Sequence, residues 1–233
     1  MKETHVSYSP KHALITGSSS GIGAAITQKL LAEGWRVTGL SRKPGDYSHP
    51  HFTHRAVDIM DTPALTAILD EIVQVDAIIH AAGIMKAAPL GQLSLEDGET
   101  LWRLHINAAQ VLADRLVDKL PQGGRIVLLG SRTSSGSAGR SQYVTTKSAM
   151  IGMARSWAAE LAPRGITVNI VAPGATETPM LTMPGRQSSP PKLPPIGRFI
   201  QPQEVADLVG YLLSPSAAAI TGQQLVMCGG ASL

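Results

Sequence analysis

Two rhythms of apolar residues run along this chain. Short, mainly apolar runs at 13–16, 35–40, 75–82, 125–129, 166–172 and 224–227 have the length of strands, and the least interrupted of them read as strands covered on both faces. Between them, apolar residues recur every three or four positions, as at Ala25, Ile26, Leu30 and Leu31, and at Leu65, Ile68, Leu69 and Ile72. That spacing lines one face of a helix. Helices are expected at 24–33 (stopped by Gly34), from Thr62 as cap with Pro63 in the first turn, at 99–120, at 142–161, and at 202–213 behind Gln201. A further strand is expected at 55–59. The segment before it, 43–53, holds Pro44, Gly45 and Pro50 and reads as extended rather than helical. Alternation of strand and helix predicts an α/β fold: a doubly wound parallel sheet of about seven strands with helices on both faces. Neither a repeat nor a linker divides 1–233, so one domain is expected. Residues 180–199, with Pro184, Pro190, Pro191, Pro194 and Pro195, read as a substrate lid.

Composition narrows the class. At 233 residues, 43% hydrophobic and 16% charged, the chain has the make-up of a soluble globular protein with a large core. It shows neither a run of about 18 apolar residues nor a signal-peptide core, so a cytoplasmic protein without membrane partners is expected. Cys228 is the single cysteine, which excludes an internal disulfide and a cysteine metal site. His49, His51 and His54 lack a carboxylate at ligand spacing, so no metal is expected. A net charge of +3 suits small anionic ligands and argues against nucleic acid.

Two motifs carry chemistry. After the first strand come Gly17, Ser19, Ser20, Gly21, Ile22 and Gly23, opening a helix. Glycines let backbone approach closely, and a helix N-terminus binds anions, so this turn suits the pyrophosphate of a dinucleotide in a Rossmann-type sheet. Tyr143 and Lys147 stand four apart on a helix and share a face. A cation beside a phenol lowers its pKa, which makes Tyr143 a candidate acid/base at a carbonyl or alcohol.

Gly17-x-x-x-Gly21-x-Gly23 followed by Tyr143-x-x-x-Lys147 resembles the short-chain dehydrogenase/reductase family, and the resemblance runs from about 13 to 230. It implies that Tyr143 is the proton donor in reduction, that Lys147 lowers its pKa and holds the nicotinamide ribose, and that Ser131 bonds the reacting oxygen. It further implies that Asn107 helps hold a relay water. Asp58 with Ile59 is implied at the adenine, Ala81-Ala82-Gly83 at the cofactor, and Pro173, Gly174, Thr176 and Thr178 beside the nicotinamide. Ile196-Gly197-Arg198, Glu204-Val205-Ala206 and Ile220-Thr221-Gly222 are similar to the ketoacyl-reductase branch. The chain departs from the family pattern at His80 and Ala81, which replace two Asn. It departs again in the short Ser131-to-Tyr143 spacing, with Ser134 and Ser135 nearby, and in the absent helix after the second strand.

The expected activity is transfer of a hydride between a nicotinamide cofactor and a small carbonyl or secondary alcohol. The alternatives are a nucleotide-binding regulatory protein without turnover, an isomerase or lyase using the same tyrosine, and a Ser131–Lys147 hydrolase, which leaves Tyr143 without a purpose. NADP(H) is expected over NAD(H), because the second strand ends in Ser41-Arg42 with no acid before Asp46. Arg132 and Arg140 are candidates for a substrate anion. The resemblance also implies a homo-oligomer, a tetramer, paired through the two long helices and through the last strand and helix. Leu101, Leu104, Ala108, Leu112 and Leu116, with Met150, Met153 and Trp157, supply more apolar surface than one sheet face needs.

Overall fold

Seven strands lie parallel in one sheet in the computed structural model, which describes residues 10–181 and 189–233. In chain order the elements are β1 (His12–Thr16), α1 (Gly21–Ala32), β2 (Arg36–Ser41), β3 (Phe52–Ala56), α2 (Thr62–Asp70), β4 (Ala77–His80) and α3 (Leu95–Trp102). There follow α4 (Ala108–Leu116), β5 (Arg125–Leu129), α5 (Ser141–Leu161), β6 (Thr167–Pro173), α6 (Pro202–Leu213) and β7 (Gln224–Met227). The strand order is β3-β2-β1-β4-β5-β6-β7. Winding therefore reverses between β1 and β4, and a crevice opens beyond their carboxyl ends, where such sheets bind ligands.

The period-two alternation of strand side chains divides the core into two layers. Leu14, Ile78, Ile126 and Val168 pack with Leu65 of α2, Leu112 of α4 and Met150 of α5 on one face. Ile15, Ile79, Val127 and Val171 pack with Ile26 and Leu30 of α1 and Val205 and Val209 of α6 on the other.

The expected fold class stands, with local corrections. The edge strand runs 52–56 rather than 55–59, because Phe52 and Thr53 pair with Val37 and Thr38. Val57 and Ile59 gave the apolar signal, yet they are buried beyond the strand's end. The cap of α2 is Asp61, whose carboxylate accepts from the Ala64 N–H at 3.1 Å, not Thr62. Ser94 caps the next helix four residues earlier than expected. That helix is not continuous: Arg103–Asn107 forms a π turn between α3 and α4. The β2–β3 connection has no helix, as expected. In the lid, Pro179–Leu181 forms a single 3₁₀ turn; residues 182–188, Pro184 among them, lie outside the described residues. Leu101, Leu104, Ala108, Leu112, Leu116 and Met150 are all buried within the chain itself, so they leave no apolar excess for a partner.

Candidate functional site

A cavity of about 840 Å³ opens over the carboxyl ends of the strands. Its floor is the glycine turn. A Cβ on Gly17, whose φ is +69°, would stand 2.8 Å from the backbone of Ala82. One on Gly23 would stand 2.1 Å from the Gly17 carbonyl oxygen. Only glycine lets the turn fold this closely under α1. Ser20 caps α1 without a side-chain bond, so its hydroxyl consumes none of the amide donors of the first turn. A dinucleotide pyrophosphate fits this cradle on its shape and on its donors.

At the rim by β2, Ser41, Arg42 and Lys43 line the cavity; the carboxylate in the lining, Asp58, lies beyond the end of β3. Arg42 and Lys43 are exposed. Ser41 is buried and committed elsewhere: its hydroxyl donates to the Lys43 carbonyl at 2.8 Å and meets His54 Nε2 at 3.0 Å. It shapes the loop that carries the two cations. Tyr47 pins this loop to the glycine turn by donating to the Ser18 carbonyl at 2.5 Å.

The inner end holds Ser131, Tyr143 and Lys147, all lining the cavity. Helical spacing on α5 brings Tyr143 and Lys147 together, with Lys147 Nζ 5.8 Å from the centre of the Tyr143 ring. Lys147 donates to the Leu129 carbonyl at 2.7 Å. Burial pushes its pKa down to about 7. Ser131 follows β5, and its Oγ accepts the Thr133 N–H at 3.2 Å. Of the three neighbouring serines it alone lines the cavity; Ser134 Oγ accepts from Gln224 at 2.9 Å.

Every position expected at the cofactor or in catalysis lines this cavity except Asn107. Asn107 is exposed on the outer side of the π turn. His105, two residues earlier, is fully buried and lines the cavity instead. Its ring meets that of Tyr143 edge-on, with centroids 5.7 Å apart. Sequence reading missed it because a continuous helix was assumed, and the wide turn changes which residue points inward. Behind it lies His80, whose Nδ1 is 2.9 Å from the Thr16 hydroxyl, which also accepts the Ala82 N–H at 3.1 Å. His80 Nε2 closes no hydrogen bond of normal geometry among the described residues, although the backbone at Leu104 and His105 favours its proton. Burial, then the Lys147 charge, push His80 down to about 3. Lys43 was likewise overlooked, although it adjoins Arg42 in the sequence.

Arg132 and Arg140 both line the cavity, as does Lys192. Arg132 donates to the Ala231 carbonyl at 3.1 Å, and Arg140 grips Ser189 through Nε at 2.6 Å and Nη2 at 3.1 Å. Both guanidinium groups brace the lid and tail around the substrate end. Among the described residues no group of His, Cys, Asp and Glu could hold a metal ion.

Comparison with known proteins places this geometry. A family profile described as "Enoyl-(Acyl carrier protein) reductase" matches residues 17–232. The 3-oxoacyl-[acyl-carrier-protein] reductase FabG of Vibrio cholerae is 33% identical over 94% of this chain and 96% of its own. A cyclic-di-GMP-binding biofilm dispersal mediator protein of Escherichia coli is 32% identical over 92% of this chain and 94% of its own. A short chain dehydrogenase family protein from Francisella tularensis superposes with a TM-score of 0.89 at 26% identity, covering 96% of this chain and 99% of the other. BdcA in complex with NADPH superposes with a TM-score of 0.83 at 31% identity, covering 96% of each chain.

Proposed function

Since this chain belongs to the short-chain dehydrogenase/reductase family and is an NAD(P)-dependent oxidoreductase, we propose that it reduces a small carbonyl substrate, in the manner of a ketoacyl reductase, with NADPH. The observation that carries this reading is the buried Lys147 beside Tyr143, with Ser131 lining the same end of the cavity. The glycine turn and the first turn of α1 hold the pyrophosphate, and Arg42 with Lys43 reads a 2′-phosphate. Asp58 and Ile59 border the adenine. Ala81, Ala82, Gly83, Pro173, Gly174, Thr176 and Thr178 enclose the nicotinamide half. The bound cofactor supplies the hydride.

The chain's own residues handle the proton and the orientation. Ser131 hydrogen-bonds the substrate oxygen. Tyr143 delivers the proton to that oxygen, and its Oη–H bond breaks as the new O–H forms. The positive charge of Lys147 stabilises the phenolate left behind.

The test is NADPH and NADH oxidation, followed at the reduced-nicotinamide absorbance band, across keto esters, 3-ketoacyl thioesters and cyclic ketones. Oxidation of NADPH with at least one class is expected, and none with any would refute the reading. A second reading, a nucleotide-binding regulatory protein without turnover, is favoured by the relative named for cyclic di-GMP. Calorimetric binding of cyclic di-GMP by a chain that oxidises no cofactor would select it.

A homo-oligomer, a tetramer, and a cytoplasmic location belong to the same proposal. Four of the exposed apolar side chains fall on α3, α6 and the edge strand, near the surfaces such an assembly would use: Leu95 and Trp102 on α3, Tyr211 on α6 and Val226 on β7. Among the described residues no helix is long and apolar enough to cross a membrane. Light scattering by a 24.5 kDa particle at micromolar concentration would refute the oligomer.

A further inference from the structure

We propose that His105 is a positioning residue for the Tyr143–Lys147 pair: an imidazole held in one tautomer against Tyr143, whose protonation is tied to the charge of Lys147. The assignment rests on the reductase reading, since it concerns how Lys147 is kept ready to serve Tyr143.

Hydrogen bonding fixes the tautomer. Thr146 spends its one hydroxyl proton on the Tyr143 carbonyl at 2.9 Å. Its oxygen can then only accept from His105, whose Nδ1 stands 2.9 Å away. The proton of the neutral imidazole is therefore on Nδ1, and Nε2 carries the lone pair. Nε2 accepts the Ile84 N–H at 3.3 Å with that lone pair. A Cβ on Gly83 would stand 3.1 Å from this Nε2 and 3.8 Å from Lys147 Nζ. Both nitrogens therefore border the space that Gly83 leaves open.

The same contacts reach Tyr143 twice. The imidazole packs edge-on against the Tyr143 ring, and the Thr146 bridge ties it to the Tyr143 backbone. The titratable groups facing His105 are Lys147 and Tyr143 from α5 and His80 from β4. Lys147 and His80 are the charges acting on it, and no carboxylate is among them.

An amide here could hold a hydrogen bond but could never take up a proton. An imidazole can. Once charged, it sets a second cation against the space Lys147 shares, so a proton gained at one group is driven off the other. Burial first, and Lys147 second, hold the imidazole well below the ordinary histidine range. The arrangement serves Tyr143 only above the pH at which His105 charges.

The experiment uses the full chain and the variants His105→Asn, His105→Ala and Lys147→Met. The ¹⁵N resonances of His105, identified by their loss in His105→Asn, should show a proton on Nδ1 in wild type and titrate below the usual range. In Lys147→Met the titration should move up, because the second-largest cause that holds it down is gone. In turnover, His105→Asn should keep neutral-pH activity and lose the acid limb of the wild-type profile. His105→Ala, which removes both the bond to Thr146 and the ring against Tyr143, should lower kcat at neutral pH with NADPH affinity unchanged. An unmoved titration in Lys147→Met, an acid limb that persists in His105→Asn, or full activity in His105→Ala would overturn the assignment. Wild-type protein that oxidises NADPH with no carbonyl would sink the reductase reading alone, and the two titrations would still decide the coupling.

Discussion

The amino group of Lys147 donates to the carbonyl of Leu129, the last residue of β5, at 2.7 Å from a position almost sealed from solvent. This bond anchors α5 to the sheet, and it exists in a place where a charge is costly. The pKa of about 7 expresses that cost.

A pH-dependent stability follows from it. Unfolded lysine titrates near 10.4, far above the folded value. Between pH 7 and about 10.4 the unfolded chain binds the extra proton, so stability contributed at this site rises with pH across that window and is lost as pH falls through it. Lys147→Met lacks the window. Denaturant midpoints measured from pH 6 to 10 should therefore show wild type gaining on Lys147→Met above pH 7. A difference that stays flat would mean that Lys147 is solvated in the folded chain.

Tyr143→Phe should abolish turnover with cofactor still bound. The ring contact with His105 survives, and only the proton donor is lost. Loss of general acid catalysis alone costs about 10²- to 10⁴-fold in rate. The check is kcat beside NADPH affinity in one preparation; a variant keeping more than half of wild-type kcat would remove Tyr143 from the chemistry.

The fold was legible because its signals were long and redundant. β5, α6 and β7 fall at the expected residues, with β5 closed by Gly130 and α6 by Ser214. The glycine turn and the Tyr143–Lys147 pair were legible because their spacing is local. What failed depends on tertiary context. Val57 and Ile59 read as strand because burial alone looks the same in a strand and in a loop over a cavity. Asn107 was implied at the site by the family resemblance, but the π turn leaves it exposed and brings His105 to the cavity instead. Ser41 read as a ligand donor because its partners, Lys43 and His54, are fixed only by the fold.

His80 makes an acid-side prediction with its own sign. Its folded pKa of about 3 lies below the unfolded 6.5, so its contribution to stability is complete above pH 6.5 and is lost as pH falls toward 3. Wild type should lose stability more steeply than His80→Asn between those pH values. Parallel acid-unfolding curves for the two proteins would show that His80 charges freely in the fold.

Gly23→Ala tests the floor of the cavity. Its methyl group would meet the Gly17 carbonyl oxygen at 2.1 Å, which is backbone and cannot swing aside. Overpacking of this kind costs about 1–3 kcal/mol. The turn must open, so the variant should melt lower and bind NADPH more weakly. Unchanged affinity would mean that the pyrophosphate does not rest there.

Cofactor choice turns on Arg42 and Lys43. An acid at the end of β2 would accept hydrogen bonds from ribose hydroxyls and repel a 2′-phosphate. Here β2 ends in Ser41, and the next two residues, both exposed at the cavity rim, are cations. Ser41 contributes indirectly, because its hydroxyl is spent on the Lys43 carbonyl and so holds the turn that presents both side chains. Arginine offers a planar fork matched to phosphate oxygens, whereas lysine offers a point charge on a flexible stem. A charge-assisted contact is worth about 1.5–3 kcal/mol, or roughly ten- to a hundredfold in affinity. Arg42→Ala should therefore weaken NADPH binding by about that factor and leave NADH nearly unchanged. Lys43→Ala should produce a smaller loss, and both losses should shrink as salt screens the exposed charges. Fluorescence titration of both reduced cofactors into wild type and the two variants decides the matter. Equal wild-type affinity for NADPH and NADH, or an Arg42→Ala protein that keeps its NADPH preference, would show that the phosphate is not read at this rim.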